Sequence, residues 1–184
     1  MATQKRLLLR TLGNIGSLLD LSSHDSLLES VLSCFDGDEN VELVRTSAAM
    51  SLGDMAIGAK DRVFLPFILS SLSDQKKSDV DLYLISVALH NVLSSSTFDV
   101  APHLVSLLSN LLSRCENQDE GTRNLIAKCL GTCDVLICKS CLSLPTRGTL
   151  LYRNISAHSQ NNTTQMRILN CCFALETHRY TRPN

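Results

Sequence analysis

Tryptophan is absent from this 184-residue sequence, and Phe, Trp and Tyr together make up 4% of it. A sheet core favours aromatic and β-branched side chains, so this scarcity favours a core built from helix–helix contacts. Long apolar runs are also missing: the longest, Val63 to Leu69, contains Pro66 and falls far short of the ~20 residues that a membrane span needs. We therefore expect no membrane-spanning segment and no signal peptide at the N-terminus.

A strong charge of either sign is missing too, because 17 Lys and Arg nearly balance 18 Asp and Glu. The net charge of −1 gives no general attraction to nucleic acid, so we expect no nucleic-acid partner. The two signs of charge are distributed unevenly along the chain. Residues 1–138 hold 11 basic and 17 acidic side chains, whereas residues 139–184 hold 6 basic side chains and only Glu176. We predict one folded region over 1–138 and a divergent, poorly ordered tail over 139–184.

Motifs of catalysis and cofactor binding are missing as well. His24, His90 and His103 have no Ser or Cys partner at a recognisable motif spacing, and no glycine-rich phosphate loop is present. The sequence therefore predicts a protein that is not an enzyme and binds no cofactor. Its eight cysteines, without a secretory signal, indicate reduced intracellular thiols, and we expect a cytoplasmic and nuclear location.

The cysteines leave one alternative open, a zinc-dependent or thiol enzyme. Cys138 and Cys141 have a zinc-like spacing, but a zinc site usually needs two ligand pairs on turns that converge. Cys129 and Cys133 lie four residues apart in an apolar helical stripe, where free cysteine behaves as a small hydrophobic residue. The sequence therefore predicts no metal site.

What the sequence does contain is an internal repeat of about forty residues. The motif Leu-Gly recurs at Leu12-Gly13, Leu52-Gly53 and Leu130-Gly131, with a weaker copy at Leu89. Successive leucines are 40, 37 and 41 positions apart, close to the ~40–47 residues of HEAT and armadillo repeats. Apolar residues with a helical period surround each copy, and polar links separate them. The predicted fold is an all-α HEAT-repeat solenoid of about four repeats, partial at both ends, with seven helices.

The stripe on the first helix comprises Leu8, Leu12, Ile15 and Leu19. This helix has no upstream neighbour in the sequence to cover it, and repeats need neighbours or polar caps. We therefore expect exposed apolar area, and marginal stability or self-association of the chain.

Two prolines are also informative: Pro102 is expected in the first turn of its helix, whereas Pro66 is expected to bend a helix from inside.

The residues of the repeat motif are interpreted as structural. A glycine inside a helix costs about 1 kcal/mol relative to alanine, so a recurrent one indicates close approach of a neighbouring helix. Arg45 and Arg123 each precede a motif leucine by seven positions and follow acidic residues, among them Asp38, Glu39 and Asp119. We interpret these two arginines as charges that pair between adjacent links and fix the stacking of the repeats.

Three blocks of sequence carry a resemblance to a known family. These are residues 6–22, residues 44–69, and Cys115-Glu116 with the run from Glu120 to Gly131, which includes Gly121, Thr122 and Arg123. In this order and spacing they resemble a segment from the C-terminal third of the cullin-associated and neddylation-dissociated family. The resemblance covers roughly residues 6–138.

The resemblance implies a function as well as a fold. Members of that family are HEAT solenoids that wrap unmodified cullin–RING scaffolds and act as exchange factors in the assembly of SCF-type ubiquitin ligases, without being enzymes. This implies a protein-binding fragment whose partner is a cullin–RING scaffold. The alternative is a scaffold of the same fold for another client, as in nuclear transport or phosphatase assembly. The residues that contact a partner cannot be read from the sequence.

Overall fold

A computed structural model describes residues 2–35, 42–60, 62–95, 99 and 101–143, and every regular element within these ranges is helical. The elements are α1 Ala2–Leu18, α2 Asp25–Leu32, α3 Glu42–Ala59, α4 Phe64–Ser73, α5 Asp79–Ser94, a 3-10 turn Ala101–His103, α6 Leu104–Ser113 and α7 Glu120–Ser143. The all-α prediction and the number of α-helices in the described part of the chain are confirmed. None of these helices combines the length and apolar character that crossing a bilayer requires.

The chain divides into two compact units, Met1–Asp99 with Asn110–Cys129 and Val100–Ser109 with Leu130–Asn184. In the first unit α1 packs on α3 and α3 packs on α5, so these three helices form a row. Helix α2 packs on α3, and α4 packs on both α3 and α5, which places them in a second layer. In the second unit the buried side chains belong to the start of α6 and the end of α7, namely Leu104, Leu107, Leu108, Leu130 and Cys133.

The fold is therefore a HEAT-repeat stack. Helix α1 is the second helix of a partial first repeat, and the pairs α2–α3, α4–α5 and α6–α7 follow it. The core of the first unit lies between the two layers, where Leu52 and Met55 of α3, Ile68 of α4 and Leu89 of α5 are at most 1% exposed. The helices of this unit bury apolar side chains against one another. This burial supplies the stability that short isolated helices lack.

The structure corrects the expectation for Pro66. Helix α4 begins at Phe64, so Pro66 lies in its first turn and not in its interior. The N–H groups of the first turn have no partner inside a helix, and the missing N–H of proline therefore costs no hydrogen bond there. Pro102 lies in the 3-10 turn that leads into α6, immediately before the helix rather than in its first turn.

The structure also corrects which face of α1 is buried. Leu9, Gly13 and Gly16 are the buried residues of this helix, while Leu8 is 69% and Ile15 45% exposed. The predicted stripe is thus the free edge of α1. The expectation of exposed apolar area on the first helix is confirmed, since Leu7, Leu18 and Leu19 are also more than half exposed.

The predicted boundary between repeats and tail falls at residue 138. Helix α7 continues past it to Ser143. The rest of the predicted tail, from residue 144, lies outside the described residues.

Candidate protein-interaction surface

The motif glycines Gly13 and Gly53 lie where a neighbouring helix comes close. A Cβ added to Gly13 would lie 2.7 Å from Asp54 Oδ2 and 3.1 Å from the Ser51 Cα on α3. A Cβ on Gly53 would lie 2.5 Å from the Ala88 carbonyl oxygen on α5. Close approach is therefore confirmed as the reason for these two glycines.

The remaining motif residues are placed less uniformly. A Cβ on Gly131 would meet no heavy atom of the described residues within 4 Å, and Gly131 is exposed, so close approach at Gly131 stays a prediction. Among the motif leucines, Leu52 and Leu130 are buried and Leu12 is half-buried at the free end of the row.

Of the two motif arginines, Arg123 does not form the predicted ladder. Arg123 donates from Nη1 to the carbonyl oxygens of Asn117 and Gln118, 2.8 and 2.6 Å away, which lie in the link of its own repeat. The pairing between adjacent links that we predicted for Arg123 is therefore wrong. Asp38 and Glu39, two of the acidic residues that precede Arg45, lie outside the described residues, and the role of Arg45 stays a prediction.

A ladder between repeats does exist, but other side chains build it. Arg62, in the link after α3, donates to the Asp20 carboxylate in the link after α1 at 2.6 Å. Arg114 Nη2, after α6, donates to the Asp74 carbonyl oxygen at the end of α4, 2.6 Å away. Asn117 Nδ2 donates to Asp79 Oδ1 at 3.1 Å. The partners are separated by 42, 40 and 38 residues, which is one repeat in each case.

Asp54 of α3 joins three helices of the row. Its Oδ1 accepts from Asn91 Nδ2 of α5 at 2.7 Å, and Asn91 also donates to the Met50 carbonyl oxygen at 2.9 Å. Its Oδ2 faces Gly13 of α1. Partial burial raises the pKa of Asp54, and the hydrogen bond from Asn91 lowers it by a smaller amount. The carboxylate therefore ties α3 to α5 at a position where α1 leaves room for it.

Within the described residues, one long side of the row of α1, α3 and α5 carries exposed side chains, and we call this side the open face. On α3, Leu43 is 64% and Met50 48% exposed, and Asp54 follows at the same angular position on the helix. Val80, Val87 and Asn91 occupy the equivalent positions of α5, and Thr3, Arg10 and Asn14 those of α1. We define the open face by Arg6 and Arg10 of α1, Leu43 and Met50 of α3, and Val80 and Val87 of α5. It is basic on α1 and apolar on α3 and α5.

Comparison with known proteins connects this stack to a family. The chain is 35% identical over 128 residues to "Cullin-associated NEDD8-dissociated protein 1" of Dictyostelium discoideum, a match that covers 67% of this chain and 10% of that protein. It is 32% identical over 134 residues to the protein of the same name from Arabidopsis thaliana, which covers 71% of this chain and 10% of the relative. The chain belongs to the cullin-associated NEDD8-dissociated family. It spans about a tenth of the length of the curated relatives it matches.

A second branch of the cullin-associated NEDD8-dissociated family matches a shorter part of the chain. "Cullin-associated NEDD8-dissociated protein 2" of Mus musculus is 35% identical over 91 residues, 49% of this chain and 7% of that protein. No family model matches the chain. The names of these relatives describe association with another protein, and none of them names a reaction.

The run that most resembles the cullin-associated NEDD8-dissociated family forms the start of α7. Asp119 caps this helix, because its Oδ2 accepts from the Thr122 backbone N–H at 2.7 Å. That hydrogen bond is the main reason why the pKa of Asp119 is lowered, with a smaller contribution from Arg123. Gly121 lies against Tyr83 of α5, and the Thr122 side chain is fully buried. The contacts of this run thus serve capping and packing.

Two of the cysteines in the described part of this family member are buried, and two are partly exposed. Cys129 and Cys133 are both 0% exposed, which confirms their interpretation as small apolar residues, and the Cys129 thiol donates to the Ser86 carbonyl oxygen at 3.8 Å. Burial raises the pKa of the Cys115 thiol, and nearby Glu116 adds to the effect. The described residues contain no group of three or more His, Cys, Asp and Glu that could hold a metal ion. The side chains of Cys138 and Cys141, and all of Cys171 and Cys172, lie outside the described residues.

The open face and its polar row were missed by the reasoning from sequence, although a signal for them exists. When the repeats are aligned on the motif leucine, the second residue after it is polar in every copy: Asn14, Asp54, Asn91 and Thr132. A polar residue that recurs once per repeat beside a glycine indicates hydrogen bonding along the stack. The same alignment brings Arg10, Met50 and Val87 into one row of the open face.

Proposed function

We propose that this chain is a protein-binding segment that contacts a cullin–RING scaffold not modified by NEDD8. The observation that supports the proposal is the match of two thirds of the chain to relatives named for cullin association and for dissociation from NEDD8. A stack of repeats suits such a role, because each pair is held to the next by its own contacts and the exposed side chains remain available for a partner. We also propose that the protein is located in the cytoplasm and the nucleus.

The finer proposal is that the chain contributes to control of ubiquitin-ligase assembly by occupying the scaffold. A binder of this kind acts by mass action: it stabilises the state of the scaffold to which it binds and excludes whatever competes for the same surface. No bond is made or broken in the proposed role. Because the chain spans about a tenth of its relatives, we expect it to bind weakly by itself.

Binding to two forms of one scaffold tests the proposal. The purified chain is titrated against an immobilised cullin–RING complex with and without covalently attached NEDD8, and the response is measured by biolayer interferometry. We expect saturable binding to the unmodified complex and at least tenfold weaker binding to the modified one, a difference of about 1.4 kcal/mol. Equal binding to both forms, or binding to neither, would contradict the proposal. Capture of phosphatase subunits or transport receptors in place of a cullin would favour another client.

A further inference from the structure

The open face carries exposed apolar side chains on α3 and α5 and exposed basic side chains on α1. Leu43, Met50 and Val80 are 64%, 48% and 51% exposed, and they lie on neighbouring helices. Solvent-facing apolar side chains that form a contiguous patch on a folded protein mark an interaction site, whereas isolated ones need no explanation. Methionine and arginine are both enriched in protein interfaces.

The charge of the open face comes from α1. This helix carries Lys5, Arg6 and Arg10 and no acidic residue. Arg6 and Arg10 are exposed, and within the part of the chain that the structure describes neither forms an ion pair. Their helix positions, three and seven residues after Thr3, place them on the same side of the row as Met50 and Val87. Two unpaired guanidinium groups beside an apolar strip form a surface that is complementary to carboxylates beside an apolar ridge.

The N-terminal ends of α3 and α5 carry the opposite sign. Glu42 and Asp79, the first residues of these helices, are exposed next to Leu43 and Val80. A partner with carboxylates near Glu42 and Asp79 would meet repulsion there, so the complementary partner carries its carboxylates on the α1 side. A lipid surface or a nucleic acid would present its negative charge to this acidic end as well, and the face therefore fits a protein segment better.

We infer that the open face, formed by Arg6, Arg10, Leu43, Met50, Val80 and Val87, is the docking site for an amphipathic helix of a partner protein with carboxylates along one flank. The inference deepens the proposed function, on which it rests, by assigning the surface that holds the partner. The binding mode is a helix laid along an apolar strip, with apolar anchors spaced three and four residues apart. The arginines orient the partner helix and speed its association.

A charge-swap experiment with a peptide probe tests the docking site directly. The probe is a helical peptide of three heptads with leucines at both apolar positions of each heptad and glutamates along one flank. Its binding to the complete chain is followed by fluorescence anisotropy. We expect R6E/R10E to weaken binding by about tenfold and the same peptide with lysines for glutamates to regain it with this variant. K5E is the matched control on the other side of α1 and is expected to change binding by less than about twofold.

The apolar part of the open face is tested by a second matched pair. M50N is expected to weaken binding of the glutamate peptide by about tenfold. V63N is the control, because Val63 is similarly exposed at 44% but lies in the link between α3 and α4. No binding of the glutamate peptide, an equal loss with K5E, or no recovery with the lysine peptide would each overturn the inference.

The same variants separate this inference from the proposed function. If the chain binds the unmodified cullin–RING complex and R6E/R10E and M50N bind it equally well, the docking site is wrong and the proposed function stands. If the peptide binds with the expected charge dependence but no cullin complex does, the docking site stands and the proposed partner is wrong. If M50N instead abolishes self-association of the chain in sedimentation, the occupant is a second copy and the inference fails.

Discussion

Two glycines in the same sequence motif have different surroundings, and this difference gives a prediction at the scale of single residues. Replacing Gly53 by alanine would drive the new methyl group into the backbone oxygen of Ala88, 2.5 Å away. We expect a loss of about 1–3 kcal/mol in the free energy of unfolding, because α3 and α5 would have to separate. A Cβ on Gly131 would meet no heavy atom of the described residues within 4 Å, so alanine there should raise the free energy of unfolding by roughly 0.5–1 kcal/mol through helix propensity.

Urea unfolding followed by circular dichroism measures both glycine variants under identical conditions. The two substitutions add the same atom to the same motif in two helices, so each is the control of the other. Changes of the same sign in the two variants would contradict the assignment of close approach to Gly53 and not to Gly131.

Asp54 gives a second prediction at the residue scale, on pH. Because partial burial raises the pKa of Asp54 above its ordinary value of 3.8, the folded state holds the proton more tightly than the unfolded state. The contribution of Asp54 to stability is therefore largest below pH 3.8 and falls as the pH rises through the folded pKa. Asparagine at this position keeps an oxygen to accept from Asn91 and carries no charge.

We accordingly expect the free energy of unfolding of D54N, relative to the wild type, to increase with pH between about pH 4 and neutral pH. Denaturant unfolding of both proteins is measured at a series of pH values. Subtracting the two free energies of unfolding cancels the contribution of the other titrating groups. A difference that does not change with pH would show that Asp54 has an ordinary pKa in the folded protein.

At the scale of elements, the start of α7 depends on one carboxylate. Asp119 accepts from the Thr122 N–H, one of the four amides that the helix itself leaves unpaired. The lowered pKa of Asp119 means that this contribution is complete above pH 3.8 and is lost as the pH falls through the folded pKa. We expect D119A to lower the melting temperature at neutral pH and D119N to lower it less, since asparagine also caps helices.

Thermal unfolding at neutral and acidic pH checks this cap. The difference between wild type and D119A should shrink at low pH, where the wild-type side chain is protonated. Ser78, whose hydroxyl accepts from the Asp81 N–H at the start of α5, offers a comparison, because serine caps without a charge. A melting-temperature difference for D119A that stays constant down to the lowest pH would contradict the proposed contribution of the charge.

The existence of the helices could be predicted from the sequence, but the faces through which they pack could not. The stripe Leu8, Ile15, Leu19 has the correct period for α1, yet the helix packs through Leu9, Gly13 and Gly16. A hydrophobic pattern identifies the side chains that gain free energy from burial. Close packing instead depends on where a neighbouring helix fits, and glycine, which permits a close fit, is not a hydrophobic residue. The position of Pro66 was interpreted wrongly although the helix begins at Phe64: the third residue of a helix belongs to its first turn, where proline removes no internal hydrogen bond.

At the scale of the molecule, the forty-residue period predicted the architecture and also the spacing of its contacts. Hydrogen bonds between repeats join residues 37 to 43 positions apart, from Asp54–Asn91 to Ser86–Cys129. The period could not say which side chains form them, because the motif points to residues on the second helices while Asp20, Arg62 and Arg114 lie in or beside the links. Alignment on the motif leucine places Arg10, Met50 and Val87 in one row, but their exposure on one face is established only when the neighbouring helices are placed.

The free edge of α1 carries the last prediction, which concerns the chain as a whole. Leu8 is 69%, Ile15 45% and Leu18 83% exposed on the side of α1 that faces away from α3. Helices in a row bury such edges against a neighbour, so a stack that ends in one exposes apolar area and gains by covering it. We expect the isolated chain to self-associate through this edge, with a melting temperature that rises with protein concentration.

Sedimentation velocity over a range of concentrations distinguishes this edge from the open face. Lysine at Leu8 and Ile15 together should shift the chain to monomer, because charge on the edge opposes its burial. The matched control L43K places one charge on the open face, which is not expected to take part, and it should sediment like the wild type. A monomeric wild type with a sharp, concentration-independent melt at high temperature would show that the edge is stable in water and that the repeats of the first unit need no neighbour on that side.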